Sequence, residues 1–315
     1  MPTFESFFIS WFFIFIGYNI LFAIKIHNFK FIQRKSNGTN MKITEFDDYL
    51  LVEGLEDFNV KHTVECGQLF RYKVRDFGYT VYSLDQKADI YCQNDTVKIF
   101  TNNKKYFINY FDFCTNYAKI KSSLEANPIM KDAIKFGSGI RILRGNPLEM
   151  IISFIISQNN NIPRIKGIVE KICEGYGTKI DDYYAFPTLQ QLKSIPLEFF
   201  KSIGCGYRDS YLYSTIQTID ENFINRVLNM DTDSARIELM KLKGIGRKVA
   251  DCILLFGFRK TAVFPTDTWV VKCYNSIYQT NEKNAEKISK HFTEMFGELS
   301  GFAQQYLFYK MRETL

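Results

Sequence analysis

LKGIGRKVADCILLFGFRKTAVFPTDTWVVKCY, residues 242–274, is the stretch on which the rest of the chain turns. Leu242-Lys243-Gly244-Ile245-Gly246 reads as a tight glycine turn between two helical patterns. Upstream, residues 231–242 carry helix formers with apolar side chains at Ile237, Leu239, Met240 and Leu242. Downstream, residues 248–258 are apolar enough for a buried helix. The two glycines let the backbone take left-handed angles and come close to a ligand. The turn also opens a helix N-terminus, whose free N–H groups and dipole favour an anion.

Two side chains in this stretch carry chemistry. Lys248 stands at the start of the second helix beside Val249, Ile253 and Leu254, and Asp267 follows Phe264-Pro265-Thr266 at a helix N-terminus. Either alone reads as ordinary: a solvated lysine and an N-cap. Fixed together to a phosphate-gripping hairpin at this spacing, they stand out as a candidate chemical pair.

The stretch resembles the helix-hairpin-helix DNA glycosylase superfamily, in which the hairpin is followed by a Gly/Pro-rich loop and an Asp. Within it, Gly244-Ile245-Gly246-Arg247-Lys248-Val249-Ala250-Asp251-Cys252 is similar to the 8-oxoguanine DNA glycosylase/AP lyase branch. The resemblance runs from about residue 41 to 315. It implies that Lys248 is the nucleophile, that Asp267 is essential for catalysis, and that Gly244 and Gly246 hold DNA. Some relatives carry a four-cysteine iron–sulfur loop after the Asp, but here only Cys273 follows Asp267.

Further segments carry the same resemblance. Gly67-Gln68-Leu69-Phe70-Arg71 is similar to the family's Gly-Gln-x-Phe-Arg, which makes the Gly67 carbonyl the acceptor for N7–H of the oxidised base. Guanine has a bare N7 there, so a carbonyl accepts the lesion and repels the normal base. Asn159, in the run Asn159-Asn160-Asn161, matches the residue that fills the gap left by the extruded base. Arg164 matches the residue that contacts the orphaned cytosine. In Gly204-Cys205-Gly206-Tyr207-Arg208, Tyr207 matches a wedge beside that cytosine and Arg208 a guanidinium that bonds it. Gln304 and Phe308 share one helical face, as do Lys248 and Cys252. The family pocket sandwiches the purine between Phe308 and Cys252, and Gln304 reads its Watson–Crick edge. One departure is Trp269, which stands where eukaryotic members often place a phosphate-contacting His.

Composition is compatible with this and does not prove it. Hydrophobic residues at 46% and aromatics at 16% describe a globular chain. The net charge of +6 is weak support for nucleic-acid binding, since the first 40 residues supply half of it. Seven cysteines, an odd number without a C-x-x-C, argue against a disulfide framework or zinc ribbon and fit a reducing compartment. The three histidines offer no metal-site spacing.

Residues 6–24 are charge-free, rich in Phe and Ile, and just long enough to span a bilayer. Lys25, Lys30, Arg34 and Lys35 follow, which would leave the C-terminal body in the cytoplasm. The preferred reading is that residues 1–40 precede the true start at Met41-Lys42-Ile43-Thr44. A membrane anchor is the alternative. From Tyr49 to about residue 108 the chain turns to short β-rich runs at 49–52, 70–74, 79–82, 89–92 and 97–100, implying an antiparallel sheet. Helical pattern resumes near Phe111. Asn146-Pro147-Leu148-Glu149 is a helix start, with Asn as N-cap, Pro at N1 and Glu at N3.

These readings predict an α+β protein. A possible extension spans residues 1–40, an antiparallel β-rich domain 41–135, and an all-α helix-hairpin-helix domain 136–315. The expected partner is duplex DNA carrying 8-oxoguanine opposite cytosine, bound by a monomer. The expected chemistry is Lys248 attack on C1′, a Schiff base and β-elimination, with no metal or organic cofactor. Burial and the positive end of its own helix are expected to depress the Lys248 pKa. The rival readings are a monofunctional glycosylase for another lesion and a non-catalytic DNA-binding module.

Overall fold

The computed structural model describes the backbone of residues 33–35 and all of residues 41–314. The hydrophobic segment 6–24 lies outside the described residues. Seven antiparallel strands form one sheet: β1 Gln33–Lys35, β2 Lys42–Glu45, β3 Tyr49–Glu53, β4 Tyr72–Arg75, β5 Gly78–Ser83, β6 Gln86–Gln93 and β7 Thr96–Phe100. Their order is β1-β2-β3-β7-β6-β5-β4. Alternation decides the face: Leu50, Val52, Ala88, Ile90, Val97 and Ile99 are buried at every second position. They pack with Phe58, Phe107, Phe111 and Phe113 into a core of their own.

The sheet starts earlier than the β-rich pattern suggested. β2 falls on the Met41–Thr44 stretch read as a chain start, and its register pairs Ile43 with Val52 and with Arg34 of β1. With so few apolar residues, β1 and β2 are held by their ladder partners more than by local preference. β4 begins at Tyr72 because Phe70 turns into the helical core, where it meets Phe154 edge-on at 5.6 Å. The helix expected near Phe111 starts at Lys104, capped by the Asn103 side chain, and Phe111 is its C-cap.

The helical region is built round Pro147–Ser157, in which every residue from Leu148 to Ile156 is buried. Asn146 Oδ1 accepts from Leu148 N at 2.9 Å and Glu149 N at 3.3 Å, and Pro147 occupies N1. The Glu149 carboxylate does not close a capping box. It accepts from Leu84 N at 3.0 Å and Ser83 Oγ at 3.4 Å, reaching across to the β5–β6 hairpin. Arg71 makes the second bridge, donating to Glu170 Oε1 at 3.0 Å and to the Tyr184 carbonyl at 2.6 Å. Burial raises the Glu149 pKa against the influence of Arg71, so this crossing is tuned by electrostatics as well as shape.

Arg247–Gly257 packs on the central helix, and Ser300–Thr314 packs on Thr268–Tyr278 and on Pro128–Phe136. The side chains Leu124, Met130, Ala133 and Ile134 belong to the helical core. No helix among the described residues is long and apolar enough to cross a membrane.

Candidate active site

The hairpin is formed by Thr232–Met240 and Arg247–Gly257. Asp231 caps the first helix by accepting from Ser234 N at 2.9 Å. A buried ion pair ties the helices together: Arg236 Nε donates to Asp251 Oδ1 at 2.5 Å. The two hairpin glycines do different work. Gly244 sits at φ +81, and a Cβ there would lie 2.2 Å from the Tyr211 ring, so the fold itself requires it. Gly246 has an extended backbone and nothing within 4 Å of a Cβ position. It is the N-cap of Arg247–Gly257 and supplies no side-chain cap bond, which leaves the helix N–H groups open to an anion.

Lys248 lies one residue into that helix and is half-buried. Its pKa is raised, not depressed as the sequence suggested. Negative charge on Cys252 is the largest influence, burial opposes it, and the Asp267 carboxylate adds to it. Burial pushes the Cys252 thiol up to about 11, and the Lys248 ammonium beside it acts in the opposite direction. At Lys248 burial acts in the expected direction but is outweighed. Asp267 is the N-cap of Thr268–Tyr278, its Oδ1 accepting from Trp269 N and Val270 N at 3.0 Å each. The structure thus joins Lys248, Cys252 and Asp267 in one electrostatic unit. The Trp269 ring carries the Lys272 ammonium 4.7 Å from its centroid.

A second group assembles on Ser300–Thr314. Gly301 lets this helix approach Arg247–Gly257, since a Cβ there would meet Leu255 Cδ1 at 2.3 Å. Gln304 is buried and its Oε1 has no hydrogen-bond partner among the described residues. Phe308 reaches Gly67: a Cβ on Gly67, at φ +87, would lie 3.3 Å from Phe308 Cε1. The turn bearing Gly67 is pinned from several directions. Gln305 Nε2 donates to the Cys66 carbonyl at 2.8 Å, and Arg312 Nη2 to the Glu65 carbonyl at 2.6 Å. Gln68 Nε2 donates to the carbonyls of Thr63 and Arg141, and Gln68 Oε1 accepts from Leu143 N. Sequence reading found Gly67 but missed Gln305, Arg312 and Gly301, whose contacts are far away along the chain.

A third group lies round the asparagine run. Asn160 Nδ2 closes the end of Pro147–Ser157 by donating to the Ile156 carbonyl, and Asn161 caps Ile162–Tyr176. Asn159 is left exposed at φ +44, its amide without a hydrogen bond among the described residues. Tyr207 is 51% exposed and stacks edge-on with Tyr211 at 5.7 Å, which links it to Gly244. Arg164 Nη2 donates to the Gly204 carbonyl at 2.9 Å. Arg208 is buried and donates to the carbonyls of Gln158, Asn159 and Cys205, so it props the Asn159 loop. Buried carbonyls need donors, and a guanidinium satisfies several at once.

Residues 50–151 match the family model for the N-terminal domain of 8-oxoguanine DNA glycosylase, and residues 152–298 match the HhH-GPD superfamily base excision DNA repair proteins. Among solved structures, the fold is similar to the 8-oxoguanine glycosylase/lyase of Clostridium acetobutylicum, crystallised with double-stranded DNA containing cytosine opposite 8-oxoG. The two are 38% identical with a TM-score of 0.82, over 86% of this chain and 97% of that one. A protein of Methanothermobacter thermautotrophicus named a probable N-glycosylase/DNA lyase is 33% identical over 56% of this chain and 64% of its own length. The match therefore spans a little under two thirds of that relative. The N-glycosylase/DNA lyase OGG1 of Arabidopsis thaliana is 27% identical over 78% of this chain and 75% of its own. The chain belongs to the 8-oxoguanine DNA glycosylase family of the helix-hairpin-helix superfamily.

Proposed function

We propose that this chain is a bifunctional base-excision repair enzyme that removes 8-oxoguanine opposite cytosine from duplex DNA and then nicks the strand. The observation that carries this reading is an amine, Lys248, set beside Cys252 and Asp267, in a chain whose buried Gln304 Oε1 is unsatisfied among the described residues. A buried acceptor without a donor is costly, and the Watson–Crick edge of a flipped guanine supplies N–H donors to it. The hairpin N–H groups at Gly246 take a backbone phosphate, Tyr207 wedges the duplex, and Asn159 enters the gap.

In the reaction, Lys248 loses its proton and its amine attacks C1′, while the C1′–N9 bond breaks and the base leaves with the electron pair. The Asp267 carboxylate stabilises the positive charge that develops on the sugar. Ring opening yields a Schiff base, and loss of a proton from C2′ expels the 3′ phosphate. No step calls for a metal or organic cofactor. Free cysteines throughout the described residues favour a reducing, cytoplasmic setting.

Borohydride trapping tests this directly. The full chain and Lys248→Gln are incubated with a duplex holding one 8-oxoguanine opposite cytosine, beside an undamaged duplex. The reading expects a covalent adduct from the unaltered protein only, and on damaged DNA only. Base release without an adduct would indicate the monofunctional reading. DNA binding without either would indicate a binding module.

A further inference from the structure

We infer that Arg312 is a specificity-determining residue that donates a hydrogen bond to the C8 oxygen of the flipped lesion. This rests on the substrate reading above and deepens it. Gln304, Phe308 and Arg312 recur every four residues on Ser300–Thr314, so they form one stripe on one helical face. The stripe has a buried polar atom at each end that is unsatisfied among the described residues: Gln304 Oε1 and Arg312 Nη1. Phe308 lies between them, and the Arg312 guanidinium carbon is 5.6 Å from its ring centroid.

The rest of Arg312 is already engaged. Nη2 donates to the Glu65 carbonyl at 2.6 Å and to Glu313 Oε1 at 2.7 Å, and Nε donates to Glu313 Oε1 at 3.0 Å. These contacts fix the guanidinium plane and leave Nη1 directed at the Gly67 turn. A Cβ on Gly67 would lie 3.3 Å from Nη1, the same distance as from Phe308 Cε1.

A purine laid on Phe308 with its Watson–Crick edge at Gln304 turns its imidazole edge the other way, toward Gly67 and Arg312. There N7–H faces the Gly67 carbonyl, and the neighbouring substituent on the same edge is O8. A buried N–H without an acceptor meets a carbonyl oxygen in 8-oxoguanine but a C–H in guanine, which leaves the donor unsatisfied. The two features of the lesion would then be read by opposite partners, N7–H by an acceptor and O8 by a donor.

The test uses the full chain as the unaltered protein, Arg312→Met and Arg312→Lys. Single-turnover release of 8-oxoguanine opposite cytosine is compared with nicking of a preformed abasic site opposite cytosine, and Tm is measured for each protein. Methionine keeps the apolar contact with Phe308 and removes the donor. Arg312→Met is expected to slow base release about 10- to 100-fold, the range for loss of a charged hydrogen bond. Abasic-site nicking should stay within about twofold, because no base occupies the pocket. Arg312→Lys should recover part of the release rate. The inference is overturned if Arg312→Met releases the base at the unaltered rate. It is also overturned if release and nicking fall in parallel with Tm, which is the behaviour of a merely structural arginine. If the unaltered protein nicks abasic sites yet leaves 8-oxoguanine in place, the substrate reading fails first.

Discussion

Asp267 holds two jobs that one pair of substitutions separates. Its Oδ1 caps Thr268–Tyr278 through Trp269 N and Val270 N, and its charge raises the Lys248 pKa. Asparagine keeps the capping oxygen and removes the charge, whereas alanine removes both. Loss of an N-cap costs about 0.5–2 kcal/mol. In a protein of this size about 1 kcal/mol moves Tm by roughly 2–4 °C. Asp267→Ala should therefore melt roughly 1–8 °C early, and Asp267→Asn close to the unaltered protein. Both variants release Lys248 from the carboxylate and make its neutral form more abundant. If Asp267 served only to set that proton, both would react faster at neutral pH. We expect the opposite: single-turnover base release should fall about 100- to 1,000-fold in each, because the developing cation on the sugar loses its stabilising charge. The assays are differential scanning fluorimetry and rapid-quench kinetics on the 8-oxoguanine duplex. An Asp267→Asn protein that is fully active, or as destabilised as Asp267→Ala, would refute the separation of roles.

Three other outcomes follow from the same geometry. Gly244→Ala places a Cβ against Tyr211 at φ +81 and should cost more than about 1 kcal/mol, whereas Gly246→Ala should leave Tm unchanged and weaken DNA binding; denaturant melts and fluorescence anisotropy check both. A Lys248 pKa held above the ordinary lysine value means that the ammonium dominates below it and the reactive amine grows as pH rises, so kcat/KM should climb about tenfold per pH unit from pH 6 to 9 until another group titrates. A plateau by pH 7 would place the pKa well below that. Gly67→Ala, strained at φ +87 and 3.3 Å from both Phe308 and Arg312, should lose base release while keeping abasic-site nicking, measured on the two duplexes side by side.

What could be read from the sequence was what depends on near neighbours. The Asn146 and Asp267 caps, the glycine turn at Gly244 and the strand runs of β3, β5 and β7 each express chemistry completed within a few residues. The resemblance rests on such short motifs, so it pointed to Lys248, Asp267, Gln304 and Phe308 by residue. β1 and β2 were not legible, because a short strand with little apolar content is stabilised by its partner across the ladder. The burial of Arg208 was not legible either, because nothing local reveals that carbonyls 49 and 50 residues away take its donors.

The charge state of Lys248 and the clamp on Gly67 belong to the tertiary structure alone. Arg312 meets Glu65 across 247 positions, and Gln305 meets Cys66 across 239. Lys248 takes its pKa from Cys252 on its own helix, from Asp267 on another, and from the burial that both helices create. Electrostatic influence falls with distance in space and changes with the surrounding dielectric, and neither quantity exists until the chain has folded.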